Sequence, residues 1–129
     1  MQPDDATAHG LLGDALLRQG RYETAVQEYR EHLRRVPNDG VAHQNLGIAL
    51  VSLNRESEAL AEFMIAVELA PDDPRAHHSL GNALASSGRL DEAVREYRRS
   101  LTLGPNTATV ESALSEVLAR QAELRATTR

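Results

Sequence analysis

Small, apolar and aromatic residues recur along this chain at a constant interval of 34 positions. Prolines stand at 37, 71 and 105, and Leu-Gly pairs begin at 12, 46 and 80. The same interval relates five further columns: Ala15, Ala49 and Ala83; Leu16, Leu50 and Leu84; Ala25, Ala59 and Ala93; Tyr29, Phe63 and Tyr97; and His9, His43 and His77. An interval of about 20 to 50 residues indicates a chain built from stacked structural repeats.

Each repeat begins with an apolar stretch that follows one face of an α-helix. The predicted buried stripe of alanine and leucine consists, in the first repeat, of Ala8, Leu12, Ala15 and Leu16. The next two repeats fill the same columns with the same residue types. This predicted helix, called helix A, ends at Gly20, Asn54 or Gly88, which are residue types that tolerate the left-handed conformation closing a helix.

A second amphipathic stretch, called helix B, follows in each repeat. It carries Ala25, Tyr29 and Leu33 or their equivalents, and a proline ends it. The residues after each proline are suited to cap the next helix A, and they are Asn38-Asp39, Asp72-Asp73 and Asn106-Thr107. Pro74 also suits the first turn of a helix. The sequence therefore predicts alternating A and B helices.

Glycine recurs in the middle of helix A, at Gly13, Gly47 and Gly81. A glycine in a helix interior costs about 1 kcal/mol of helix propensity relative to alanine. We interpret each of these glycines as a site of close approach, where helices A and B pack tightly and the aromatic of helix B fills the remaining space. These glycines are therefore predicted to be framework positions.

The Leu-Gly pair, the alanine, the aromatic and the proline at this interval resemble the tetratricopeptide repeat, over residues 6–107. The resemblance implies an all-α fold, a right-handed α-solenoid of three helix-turn-helix units with a C-terminal capping helix. The expected division is a flexible tail at 1–5, repeats at 6–39, 40–73 and 74–107, a capping helix at 108–126 and a tail at 127–129. In the cap, Val110, Leu114, Val117 and Leu118 continue the apolar stripe of a helix A.

The amino-acid composition limits the classes of function that the chain can have. The chain is 41% apolar and 26% charged, as in soluble folded proteins, and it contains no stretch near the ~20 apolar residues of a membrane span. We therefore expect a cytoplasmic protein. All 14 basic residues are arginine and no cysteine occurs, which excludes Schiff-base lysines, phosphate-loop lysines and thiolate chemistry. A net charge of -5 with 3% aromatic residues argues against nucleic acid as a partner.

Histidine is the residue that most invites a catalytic or metal-binding interpretation. His9, His43 and His77 occupy one repeat column on the packed side of helix A, so we interpret them as packing residues that share no metal. His32 has no evident role. Because no catalytic motif is present, we predict a non-enzymatic protein without a cofactor or metal.

The family resemblance implies that the exposed face of the A helices lines a concave groove that binds a peptide of another protein. The residues predicted to line it are Asp14, Leu17, Val41, Gln44, Asn45, Ile48, Arg75, His78, Ser79 and Asn82. Its apolar members and amides suit an extended or helical peptide. These columns vary between repeats while the framework columns do not, although exposed columns also vary without any function.

Chaperone adaptors form one subfamily that reads a C-terminal carboxylate with lysine and asparagine on the first helix A, asparagine on the second, and lysine and arginine on the third. The corresponding residues here are Gly10, Asp14, Asn45, Arg75 and Ser79. Only Asn45 matches fully, and Arg75 matches in charge. Since Asp14 would repel a carboxylate, this pattern argues against such a clamp.

Two other surfaces suggest alternatives. Met64 and Ile65 are apolar in helix B columns that are charged in the flanking repeats. Leu114 and Leu118 of the cap lack a following helix B that would cover them. These surfaces indicate a self-associating structural module as one alternative. An accessory repeat domain of a larger enzyme or assembly is a separate alternative.

Overall fold

A computed structural model of the chain describes residues 5–104 and 108–128, in which all regular structure is α-helical. The helices are α1 (Asp5–Arg18), α2 (Tyr22–Arg35), α3 (Gly40–Ser52), α4 (Glu56–Leu69), α5 (Pro74–Ser86), α6 (Leu90–Leu103) and α7 (Ala108–Thr127). Helices α1, α3 and α5 are the predicted A helices, and α2, α4 and α6 are the B helices. The predicted stop at Pro105 and the cap at Asn106-Thr107 lie outside the described residues.

The chain divides into two compact units, one ending at Ala70 and one beginning at Pro71. In the first unit, α1 packs against α2, α3 packs against α4, and α2 also contacts α3. In the second unit, α5 packs against α6, and α6 contacts α7. Each A helix thus packs on the B helix that follows it.

The A helices end where the sequence predicts. Gly20, Asn54 and Gly88 have φ angles of 75°, 60° and 79° in the left-handed region. At the first of these ends, the amide of Arg21 donates to the carbonyl of Leu16 at 2.9 Å, and the amide of Gly20 donates to that of Leu17 at 3.1 Å. The other two ends repeat this pair of bonds, which is the Schellman arrangement.

The starts of α3 and α5 also follow the prediction. The Asp39 carboxylate accepts a hydrogen bond of 3.1 Å from the amide of Ala42, and the Asp73 carboxylate accepts one of 2.9 Å from the amide of Arg75. Pro74 occupies the first turn of α5. Of the candidate pairs Asn38-Asp39 and Asp72-Asp73, the second residue is the N-cap in each case.

The glycines of the Leu-Gly pairs lie directly against the aromatic rings of the B helices. A Cβ at Gly13, Gly47 or Gly81 would lie 2.8, 2.5 or 2.7 Å from the nearest ring carbon of Tyr29, Phe63 or Tyr97. Real Cβ atoms do not approach other atoms this closely, so only glycine fits without displacement. The prediction of close approach is confirmed.

The predicted apolar stripe is fully buried on α3 and α5 but not on α1. Its members are buried on those two helices, whereas Ala8 and Leu12 of α1 are exposed. The expectation that they are buried is wrong because, within the described residues, no earlier B helix covers this face of α1, as α2 covers α3.

Candidate functional site

The residues predicted to line a groove differ in accessibility. Four are exposed, namely Val41, Ile48, Arg75 and Asn82. Five are half-buried, namely Asp14, Leu17, Asn45, His78 and Ser79. Gln44 is the exception, since only 7% of its surface is exposed.

The burial of Gln44 follows from how two repeat columns share space. In the first repeat the column of Gln44 holds Gly10, where an added Cβ would lie 3.0 Å from the ring of His32. In the second repeat the much smaller Ala66 stands in the column of His32, and Gln44 is buried. Gln44 is therefore a packing residue in this conformation rather than an exposed amide.

A hydrogen-bonded cluster holds two of the candidate residues on the face of α1 and α3. The Tyr29 hydroxyl donates to Asp14 Oδ1 at 2.7 Å, and Asn45 Nδ2 donates to the same oxygen at 3.2 Å. Burial, followed by the hydrogen bond to Asp14, raises the pKa of Tyr29 well above its usual range. The tyrosine therefore remains a neutral donor at physiological pH.

The other repeats show what determines the column of Asp14. In the third repeat, the Tyr97 hydroxyl donates to Asn82 Oδ1 at 2.6 Å. In the second repeat the aromatic is Phe63, which has no hydroxyl, and the column holds Ile48. Part of the variation at this column is therefore explained by the need of a buried tyrosine for an acceptor.

A cleft of about 160 Å³ opens beside this cluster in the first unit. Residues of α1 and α3 form its rim, and Tyr29, His32 and Asp39 also contribute. Two of its rim side chains, Leu11 and Val41, are 64% and 52% exposed. The cleft thus combines apolar walls with a carboxylate and an amide.

In the second unit, Arg75 and His78 border a separate cleft with Ser100, Leu101 and Val110. The Arg75 guanidinium lies 3.5 Å from the Asp73 carboxylate. The His78 ring is tilted against that of Tyr97 at 6.1 Å between centroids, and burial lowers the pKa of His78. Burial therefore favours the neutral form of His78.

The repeated histidines have a structural role, because each joins helix A to helix B by a hydrogen bond. His43 Nδ1 lies 2.6 Å from Glu62 Oε2, and its Nε2 lies 2.8 Å from the carbonyl of Pro37. His77 makes the same bonds to Glu96 and Pro71, and His9 bonds Glu28. His43 and His77 are buried, as the packing interpretation expects, whereas His9 is half-buried. The glutamate column, visible in the sequence at the same interval of 34, was missed.

His32, which had no evident role in the sequence, joins three helices of the first unit. Its Nδ1 lies 2.6 Å from the carbonyl of Ala6 on α1, and its Nε2 lies 2.8 Å from Asp39 Oδ2 at the start of α3. Burial disfavours the charged ring, but the hydrogen bonds to Ala6 and Asp39 outweigh it and raise the pKa of His32. In the same column, the Ser100 hydroxyl donates to the carbonyl of Pro74.

Neither a metal-binding cluster nor a membrane-spanning helix is found in the described part of the chain. Residues 5–104 and 108–128 contain no cluster of three or more histidine, aspartate or glutamate residues able to hold a metal ion. None of the helices in those ranges has the length and apolar character needed to cross a membrane.

The second predicted surface is partly exposed. Met64 and Leu118 are 49% and 39% exposed, while Ile65 and Leu114 are half-buried. Leu124, which the sequence interpretation did not single out, is 55% exposed near the end of α7.

The model of the tetratricopeptide repeat family matches residues 1–40 and 45–108 of this chain. The chain belongs to the tetratricopeptide repeat family. No curated protein matches the sequence.

Solved structures of other tetratricopeptide repeat domains have the same fold. The first such domain of Spaghetti (RPAP3), bound to the HSP90 peptide SRMEEVD, is 25% identical over 92% of this chain and 94% of that chain, with a TM-score of 0.87. The first domain of human RPAP3 is 25% identical over 95% and 96%, with a TM-score of 0.86. The second domain of human RPAP3, in complex with the HSP70 peptide SGPTIEEVD, is 22% identical over 88% and 94%, with a TM-score of 0.82.

Proposed function

We propose that this tetratricopeptide repeat protein is a non-catalytic scaffold that binds a peptide segment of another protein. The peptide lies on the exposed faces of the A helices, which in this family line a concave groove. The similarity to the Spaghetti domain with its bound HSP90 peptide supports this proposal.

One observation carries the proposal. On α3, Val41, Ile48 and Val51 are 52%, 37% and 43% exposed, and their spacing of seven and three residues puts them on one side of the helix. The half-buried amide of Asn45 lies among them. A row of apolar side chains with a polar anchor is the chemistry by which helix faces hold peptides.

A selection from random peptides displayed on phage tests this proposal. We expect the protein to enrich peptides that bind Ile48→Asp at least about tenfold more weakly, because a charge replaces an apolar contact. Met64→Asp is the matched control, since it makes a comparable change at an exposed apolar residue of a B helix. Circular dichroism melts establish that both variants remain folded.

Two outcomes would contradict the proposal. One is the absence of any enriched peptide. The other is equal loss of binding in Ile48→Asp and Met64→Asp, which would place the peptide elsewhere.

A second function has support from α7. Leu118 and Leu124 are exposed apolar side chains on this helix, and such residues favour association with another chain. Light scattering across protein concentrations distinguishes this self-associating module from the peptide-binding scaffold, because a monomer at all concentrations excludes it.

A further inference from the structure

We infer that the cleft between α1 and α3 receives a basic side chain, lysine or arginine, of the bound peptide. This inference rests on the proposed function and specifies the class of peptide. It follows from the charge at Asp14, from the acceptor atoms around it and from the apolar walls of the cleft.

The fold does not require a negative charge at position 14. The buried tyrosine of the first repeat needs an acceptor, but in the third repeat Asn82 supplies one to Tyr97 through a neutral amide at 2.6 Å. An asparagine at position 14 would serve Tyr29 equally well. The carboxylate is therefore available for something other than support of the tyrosine.

The hydrogen-bond acceptors of Asp14 and Asn45 in the cleft are only partly occupied by donors of the protein. Asp14 Oδ1 takes the bonds from Tyr29 and Asn45, whereas Asp14 Oδ2 and Asn45 Oδ1 have no hydrogen-bond partner within residues 5–104 and 108–128. Arg18, one turn along α1, acts electrostatically on Tyr29, but no ion pair joins it to Asp14 in that part of the chain. Two free acceptors and one negative charge match a cationic donor.

The other carboxylate of the cleft is already engaged within the protein. Asp39 is hydrogen-bonded to His32 at 2.8 Å and caps α3 through the amide of Ala42. The carboxylate that remains for a ligand is that of Asp14.

The walls suit the aliphatic stem of a long basic side chain. Leu11 and Val41 are exposed on the two sides, and Gly10 contributes no side chain to the lining. Lysine and arginine bury their methylene groups along apolar surfaces while the charged end reaches a polar partner. The volume of about 160 Å³ is below the roughly 300 to 1,000 Å³ typical of small-molecule pockets, and it suits a single side chain.

A peptide read at an acidic C-terminus would meet the opposite charge here. The solved Spaghetti domain carries the acidic HSP90 peptide SRMEEVD. In this chain Asp14 would repel a carboxylate placed in the cleft, and the donor group of Asn45 is already bonded to Asp14. We therefore expect SRMEEVD to bind more weakly than the peptides that this protein selects.

The test repeats the selection from displayed random peptides with the wild-type protein and with Asp14→Asn. This variant removes the charge and keeps an acceptor for Tyr29, as Asn82 does for Tyr97. We expect wild-type peptides to share a lysine or arginine at one position and Asp14→Asn peptides to lack it. Replacing that residue by alanine, or an arginine by neutral citrulline, should weaken binding to the wild type about tenfold and to Asp14→Asn by less than twofold.

The outcomes separate the two proposals. Enriched peptides without a shared basic residue, or with one that Asp14→Asn still selects, would overturn the basic-side-chain inference and leave peptide binding intact. If no peptide is enriched by the wild type, both proposals fail.

Discussion

At the scale of single residues, polar side chains within the repeats act as connectors whose partners come from other helices. Tyr29 and Tyr97 each find an acceptor on the preceding A helix, and the histidines at 43 and 77 each bridge a glutamate and a carbonyl. The repeat columns indicated that these residues are structural. The partner of each residue could not be predicted. It lies in another repeat column, 15 or 19 residues away, and the interval of 34 does not indicate which columns bond to each other.

His32 gives a prediction at this scale. Replacing it by alanine removes its hydrogen bonds to the Ala6 carbonyl and to Asp39, which should lower the free energy of unfolding by about 1 to 3 kcal/mol near pH 6. Since the pKa of His32 is raised in the folded state, its contribution is complete below the unfolded value of about 6.5 and is lost as pH rises through the folded pKa.

Urea unfolding of the wild type and His32→Ala across this pH range measures the effect. We expect the difference between the two proteins to shrink as pH rises. His32→Gln, which can hydrogen-bond but does not titrate, serves as the control and should reduce the pH dependence with a smaller loss of stability. A difference that is constant with pH would show that the charge of His32 contributes nothing.

At the scale of helices, the A and B helices of each repeat approach closely because glycine faces an aromatic ring. This feature was predictable, since a glycine repeated within a helix at an interval of 34 needs a reason that compensates for its low propensity. The exposure of Ala8 and Leu12 was not predicted, because the stripe on α1 has the same pattern as those on α3 and α5. Only the neighbours of a helix decide whether an apolar face is covered.

The pair Gly47 and Phe63 gives a prediction at this scale. Gly47→Leu should destabilise the protein by about 1 to 3 kcal/mol, because the new side chain occupies the space of the ring. A double-mutant cycle with Phe63→Leu measures the cause: Gly47→Leu should cost less in the Phe63→Leu background, where the ring is removed.

Thermal melts of the four proteins in this cycle provide the values. Additive losses would show that Phe63 is not what excludes a side chain at position 47. An unchanged melting temperature in Gly47→Leu would contradict the framework interpretation.

At the scale of the whole molecule, the sequence predicted the all-α repeat fold, because a framework repeated three times determines the helices and their pairing. The candidate surface was predicted less completely. Exposure of Val41 and Ile48 agrees with the predicted face, but Gln44 is buried, in a repeat where the small Ala66 stands in the column of His32. Whether a large side chain at one repeat column fits depends on the size of the side chains around it in three dimensions. The periodicity of the sequence does not give this information.

The most direct measurement of the central claim is a titration of the ¹⁵N-labelled protein with a selected peptide, followed by two-dimensional NMR. We predict that shifts concentrate on the exposed faces of the A helices, including the amides near Val41 and Ile48 and the side-chain amide of Asn45. The outer residues of α2, α4 and α6 should remain unchanged. Shifts confined to those B helices or to α7 would contradict the account.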